Sequence, residues 1–206
     1  MVDNLIRPAN VTNTKLLYAL KEVRRDKFLP SNLSSLSYSE AELSIQNDRK
    51  AINPWLLAKM VQSLDLSSTD NVLSLATGFG YSCALISSLA NFVVAVESCD
   101  LAQEAQSRLI ENGYDNILVK AGNINEGAKK EGPYDVILIE GAVELINEEI
   151  LGQLKLGGRI MAIFREKLFG QCRLGIKTNT QVQWANLFEA NCALLSEFKK
   201  EKAFTF

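Results

Sequence analysis

The pattern of apolar and polar positions divides the chain into an amphipathic beginning, a middle in which short apolar strands alternate with helices, and an end of weaker alternation. Leu16, Leu17, Leu20 and Val23 share one face of a helix predicted over residues 14 to 23, with Thr12, Asn13 and Thr14 as candidate N-caps. Residues 30 to 44 are rich in Ser and Asn with little periodicity, and Ile45 to Pro54 predicts a polar loop holding Asp48, Arg49 and Lys50. Leu56, Leu57, Met60, Val61 and Leu64 then mark an amphipathic helix from Pro54 to Leu64, with Asn53 as its candidate N-cap.

From Val72 the period changes. Strands are expected at 72 to 75, 92 to 97, 117 to 120, 134 to 139 and 158 to 164, and helices at 81 to 90, 101 to 112 and 147 to 153. Nearly continuous apolar strands separated by helices predict an α/β fold, doubly wound, with a mostly parallel sheet and helices on both faces. Residues 173 to 178 and 180 to 184 are expected as C-terminal edge strands, and Phe188, Phe198, Phe204 and Phe206 as part of a tail packed on the sheet. The expected organisation is one domain over residues 1–206: an N-terminal helical arm and loop (1–64), a core (65–165), and the C-terminal strands and tail (166–206).

Composition removes several classes of function. With 22 Lys and Arg against 24 Asp and Glu, the net charge of −2 offers no basic footprint, so no nucleic-acid partner is expected. No apolar run approaches the roughly 18 residues of a membrane span, and no basic-then-apolar leader opens the sequence, so no membrane partner and a cytoplasmic location are expected. Four cysteines without a CxxC pair predict reduced thiols and no metal. The chain has no histidine, which excludes Ser-His-Asp and Cys-His catalysis. Carboxylates, hydroxyls, amides and proximity are what remain.

The candidate chemistry centres on Asn71 to Tyr81, a strand that ends in the turn Ala76-Thr77-Gly78-Phe79-Gly80 and feeds a helix. Glu97 ends the next strand, 17 positions beyond Gly80. In a nucleotide-binding α/β unit the turn's backbone lies against the ligand, and a carboxylate about 20 residues on accepts the ribose hydroxyls. Dinucleotide binding needs a third small residue where Cys83 stands, and Phe79 and Tyr81 are bulky, so a nicotinamide or flavin is disfavoured. A ligand without a pyrophosphate, such as S-adenosyl-L-methionine, tolerates such a turn.

Val72-Leu73-Ser74-Leu75-Ala76-Thr77-Gly78-Phe79-Gly80-Tyr81 resembles the first motif of the protein-L-isoaspartate O-methyltransferases, within the class I methyltransferases. The likeness extends to Val23 to Pro30, Tyr38, Leu109 to Asn116, Pro133-Tyr134-Asp135 and Gln153 to Arg159. It implies a Rossmann-like methyltransferase sheet and S-adenosyl-L-methionine as cofactor. It also implies a protein or peptide substrate with an exposed carboxylate, and protein repair. Carried over by position, Ala76, Thr77, Gly78, Gly80, Glu97, Gly122 and Asn123 are the cofactor-binding candidates, with Asn123 beside the adenine. Ser74 and Ala76 depart from the motif, where a carboxylate and a glycine are usual.

The substrate-side loop departs further. Ile52 stands where the family has its hydroxyl residue, and Arg49, Lys50 and Asn53 are the remaining polar candidates, the first two as attractors of an anionic substrate. Glu140 follows an apolar strand and is expected at the carboxyl edge of the sheet, either as a catalytic carboxylate or as a strand-end group bonded to a helix N-terminus. A catalytically silent or re-targeted relative, keeping the fold for cofactor or protein binding, is the alternative.

Overall fold

The computed structural model describes residues 1–46, 49–166 and 169–200. The helices are α1 (Thr14–Glu22), α2 (Pro54–Leu64), α3 (Tyr81–Ser87), α4 (Cys99–Glu111) and α5 (Glu148–Gly152). The strands are β1 (Leu43–Gln46), β2 (Arg49–Ala51), β3 (Asn71–Leu75), β4 (Phe92–Glu97), β5 (Ile117–Ala121), β6 (Tyr134–Val143), β7 (Leu154–Glu166), β8 (Phe169–Lys177) and β9 (Val182–Glu189).

Asparagine starts three of the helices as an N-cap. Asn13, Asn53 and Asn147 accept backbone N–H groups of Leu16, Trp55 and Ile150 at 2.9–3.0 Å. Pro54 occupies the first helical position of α2, where its missing N–H costs nothing.

The seven-stranded sheet runs β5-β4-β3-β6-β7-β8-β9. Pairings among β5, β4, β3, β6 and β7 are parallel, while β7 with β8 and β8 with β9 are antiparallel. The order reverses at β3, whose neighbours β4 and β6 lead away in opposite directions, and this leaves a crevice at the strands' carboxyl ends.

Alternation along each strand separates two cores. Val72, Val93, Ala95, Val136, Leu138 and Met161 face the N-terminal segment and the helices α1 to α4. Leu73, Leu75, Val94, Val96, Ile137 and Ile139 face Ile124, Ile150, Leu195 and Phe198. Among the described residues the second face carries one short α-helix, α5, and is otherwise closed by loops and by the C-terminal segment with its 3-10 turn at Ser196–Phe198.

Several expectations needed correction. Much of the expected loop from Ile45 to Pro54 is strand: among the described residues β1 and β2 pair antiparallel as a hairpin, because Leu43, Ile45 and Arg49 find burial. Strand β6 continues through Glu140 to Val143, with an irregular register between Leu138 and Ala142. The expected edge strands are longer than predicted, and β8 lies inside the sheet, leaving β9 to form that edge. Phe198 packs on the second core, whereas Phe204 and Phe206 lie outside the described residues.

Buried Gln153, in the connection from α5 to β7, ties the stretch after β5 to the sheet. Its Oε1 accepts the Ala128 N–H at 2.9 Å, and its Nε2 donates to Glu126 O at 2.8 Å and Glu149 O at 3.2 Å. Gln153→Ala strands these groups and opens a void, with an expected cost of about 2–3 kcal/mol. Urea denaturation of the variant beside the parent chain measures it.

Candidate active site

The crevice at the ends of β3, β4 and β6 gathers most of the polar candidates. The β3 strand delivers the turn, in which Ala76, Gly78 and Gly80 all have positive φ, at 64°, 56° and 91°. Glycine adopts such angles freely, whereas Ala76 carries a Cβ in the left-handed region at a cost on the order of 1 kcal/mol. The Gly80 position also needs its missing side chain, since a Cβ there meets Leu109 Cδ1 at 3.0 Å.

Glu97 ends β4 with its carboxylate wholly buried. Oε2 accepts the Gly78 N–H at 2.9 Å and Oε1 the Ser98 N–H at 2.9 Å. Arg49, the first residue of β2, completes the set: its Nε and Nη2 donate to Glu97 Oε1 at 3.1 and 2.9 Å. Nη2 also reaches Glu197 Oε1 at 3.1 Å. Burial opposes the Arg49 cation, but the two carboxylates outweigh it and its pKa is raised. Arg49 is therefore not poised towards an incoming anion; it lies on the carboxylate singled out for ribose.

The hairpin seals the turn as well. Ile45 Cδ1 lies 2.5 Å from where a Cβ on Gly78 would stand, so the apolar side chain rests directly on the glycine. Ile52 is buried, and its carbonyl accepts from Arg25 Nη2 at 2.7 Å. Asn53 serves α2: its Oδ1 caps the helix, and its Nδ2 donates to Glu40 O. Lys50 is exposed above the pocket beside the turn.

Gly122 donates its N–H to Glu97 O at 2.9 Å. Asn123 Oδ1 accepts the Asn125 N–H at 3.0 Å in a local turn, and the residue is exposed.

Glu140 sits within β6, nearly buried, rather than beyond the strand's end. Its Oε1 accepts hydroxyls from Ser74 of β3, at 2.9 Å, and Ser82 of α3. The strand-end alternative put it on a helix N-terminus, but its partners are side-chain hydroxyls. Burial pushes its pKa up to about 7, opposed by the hydroxyls of Ser82 and Ser74, reinforced by Glu97 and moderated by Arg49. Cys83 beside it is pushed up to about 12, chiefly by burial.

Three members of this site are not marked by any local signal in the sequence. Arg25 lies in the stretch from Val23 to Pro30 that resembles the family, with nothing there to assign it a role. Ser82 was one of many helix hydroxyls, and Glu197 is 148 residues from the arginine it meets. Only folding joins them.

A glycine turn and a carboxylate at the switch point of a parallel sheet, without the third glycine of a dinucleotide fold, define an α/β protein of the methyltransferase class. The chain belongs to the protein-L-isoaspartate(D-aspartate) O-methyltransferase (PCMT) family, whose family model matches residues 1–186. The protein-L-isoaspartate O-methyltransferase of Methanoculleus marisnigri is 34% identical over 163 residues, covering 79% of this chain and 74% of that protein. The corresponding enzyme of Syntrophus aciditrophicus is 34% identical over 162 residues, covering 78% and 74%.

A solved protein-L-isoaspartate O-methyltransferase superposes with a TM-score of 0.82 at 24% identity, over 95% of this chain and 66% of the other. A structure from Plasmodium falciparum, described as a putative enzyme of this kind in complex with S-adenosyl-L-homocysteine, gives 0.80 at 14% identity, over 93% and 95%. At such identities these structures establish the fold. The family depends on S-adenosyl-L-methionine.

The polar groups here suit that cofactor: a buried carboxylate at the end of β4, a glycine turn beside it, and Asn123 next to Gly122, whose N–H meets the Glu97 carbonyl. The space does not, while the hairpin is down. Arg49 covers Glu97, Ile45 covers Gly78, and beside the turn there remains about 20 Å³ open to the centre of a water molecule.

Glu140 makes stability pH-dependent in a defined direction. A carboxyl with an ordinary pKa of 4.5 that holds its proton to about 7 in the fold binds more protons folded than unfolded between those values. Stability from this group therefore falls as pH rises from 4.5 to about 7, by on the order of 3 kcal/mol in total. Glu140→Gln keeps an oxygen for Ser74 and Ser82 but cannot ionise. The variant is expected to match the parent near pH 4.5 and exceed it by about 2–3 kcal/mol at pH 8, read from urea unfolding at both pH values.

Proposed function

We propose that this chain is an S-adenosyl-L-methionine-dependent methyltransferase acting on the carboxylate of isoaspartyl residues in damaged protein, and that the hairpin β1–β2 must lift before the cofactor enters. Family membership supports the activity, and the observation that carries the site is buried Glu97 joined to the Gly78 N–H across the mouths of β3 and β4. Bound cofactor supplies a methyl group on an activated sulfonium, which a carboxylate accepts without acid or base assistance.

The chain's own contribution is alignment and exclusion of water. Loss of a hydroxyl at Ile52 is compatible with this chemistry, because the acceptor is already a nucleophile. With the hairpin raised, Glu97 would be free to exchange the Arg49 guanidinium for ribose hydroxyls while keeping its bonds to Gly78 and Ser98. Asn123 would serve the adenine, and Gly78 and Gly80 the methionine portion. Glu140 in its neutral form leaves an anionic substrate unopposed.

Calorimetric titration with S-adenosyl-L-homocysteine, followed by transfer of labelled methyl to an isoaspartyl peptide and to its aspartyl isomer, tests the activity. Transfer restricted to the isoaspartyl peptide is the expected result. Arg49→Ala isolates the hairpin: cofactor-product affinity is expected to rise about tenfold as the competing ion pair disappears. The same change should cost the ligand-free chain about 3 kcal/mol by leaving Glu97 without its cation. Absence of binding by both the native chain and Arg49→Ala overturns the proposed function.

A further inference from the structure

Between the turn after β3 and the underside of the hairpin lies a small cavity lined by Arg25, Thr77, Tyr81, Glu140, Lys50 and Ile52, among others. Its lining holds an unusual concentration of unmet hydrogen-bonding capacity. Arg25 Nη1, Thr77 Oγ1 and Tyr81 Oη are all buried without a partner among the described residues. Arg25 is only 2% exposed, and its one hydrogen bond there runs from Nη2 to the carbonyl of Ile52. The ring of Tyr81 lies 5.4 Å from its guanidinium carbon, an apolar face that softens the charge without neutralising it. Burial lowers the Arg25 pKa, a sign of the same deficit.

Buried cations are ordinarily matched by an anion, and buried polar atoms by partners. Here three residues that line one small cavity each hold back a buried donor, a guanidinium N–H and two hydroxyls. A water molecule satisfies geometry but offsets no charge. A carboxylate satisfies both, because it only accepts and carries the missing negative charge.

We infer that Arg25, Thr77 and Tyr81 form a receptor for a peptide carboxylate, the group presented for methylation. This deepens the proposed function and rests on it for the identity of the ligand. The receptor adjoins the Ala76–Phe79 turn, so a carboxylate held there stands alongside the backbone assigned to the cofactor. The cavity admits about 20 Å³ of water centres, room for a water but not for a peptide carboxylate. Its roof is Ile45, Lys50, Ala51 and Ile52, so the hairpin movement that uncovers Glu97 also opens the receptor. Glu140 shares the cavity and is its natural rival: once ionised, it repels the incoming carboxylate. The groups around Glu140 are Ser74 from β3, Ser82 and Cys83 from α3, Glu97 from β4, Arg49 from β2 and Arg25 from the segment before the hairpin.

The test uses the full chain without cofactor, titrated calorimetrically with an isoaspartyl peptide and with the same peptide carrying a carboxamide in place of the free carboxylate. The native chain is expected to prefer the carboxylate by at least about tenfold. Arg25→Gln should abolish the preference, Arg25→Lys should keep part of it, and Tyr81→Phe should reduce it about threefold. Circular dichroism verifies the fold of each variant; if Arg25→Gln does not fold, Arg25→Lys and Tyr81→Phe decide. No preference in the native chain, or an unchanged preference in the folded variants, overturns the receptor.

Methyl transfer is measured separately, so that the two ideas fail differently. Carboxylate preference that depends on Arg25 in a chain that transfers no methyl removes the methyltransferase assignment and leaves the receptor. Transfer by Arg25→Gln at the native KM removes the receptor and leaves the enzyme.

Discussion

The buried carboxylate of Glu97 is the constraint around which the crevice is arranged. An ionised carboxylate without solvent is tolerable only when its oxygens are filled, and here they take two backbone N–H groups and a guanidinium. The Gly78 N–H is available because the turn after β3 bends through positive φ, and the Ser98 N–H because α4 starts directly after β4. The guanidinium arrives from a separate hairpin. That last contact decides the state of the site, because it is the only one of the three made by a movable side chain.

The hairpin is held down by unlike forces acting at different points. Ile45 contributes apolar contact over Gly78, Arg49 the ion pairs, and Ile52 a carbonyl for Arg25. A short two-stranded element has little stability of its own, so it depends on what it covers. On the proposed function, a cofactor bringing ribose hydroxyls to Glu97 would compete with the ion pair, and a substrate bringing a carboxylate to Arg25 would supply the charge that the Ile52 carbonyl lacks. Both exchanges weaken the same attachment, which links access for the two ligands.

Much of the framework was legible along the chain because it follows from local rules. Apolar runs of four to seven residues placed the parallel strands, Asn53 with Pro54 marked the start of α2, and the glycine turn with Glu97 located the crevice. The hairpin was not legible. Its strands are four and three residues long and carry Gln46, Arg49 and Lys50, which read as solvent-facing in isolation. Arg49 becomes buried only because a carboxylate 48 residues away and another 148 residues away meet it. Glu140 was noticed, but its place inside β6 depends on a strand that continues past an irregular register, which no periodicity announces.

The sequence by itself determined the parallel sheet and the glycine turn, since each rests on burial periodicity or on backbone angles that few residues adopt. It also determined a chemistry without histidine. Only the tertiary structure decided which charges are matched: Arg49 with Glu97 and Glu197, Glu140 with two hydroxyls, and Arg25 with no salt bridge among the described residues. Pairing of buried charges depends on distance and dielectric in three dimensions, and neither quantity is written into the order of residues along the chain.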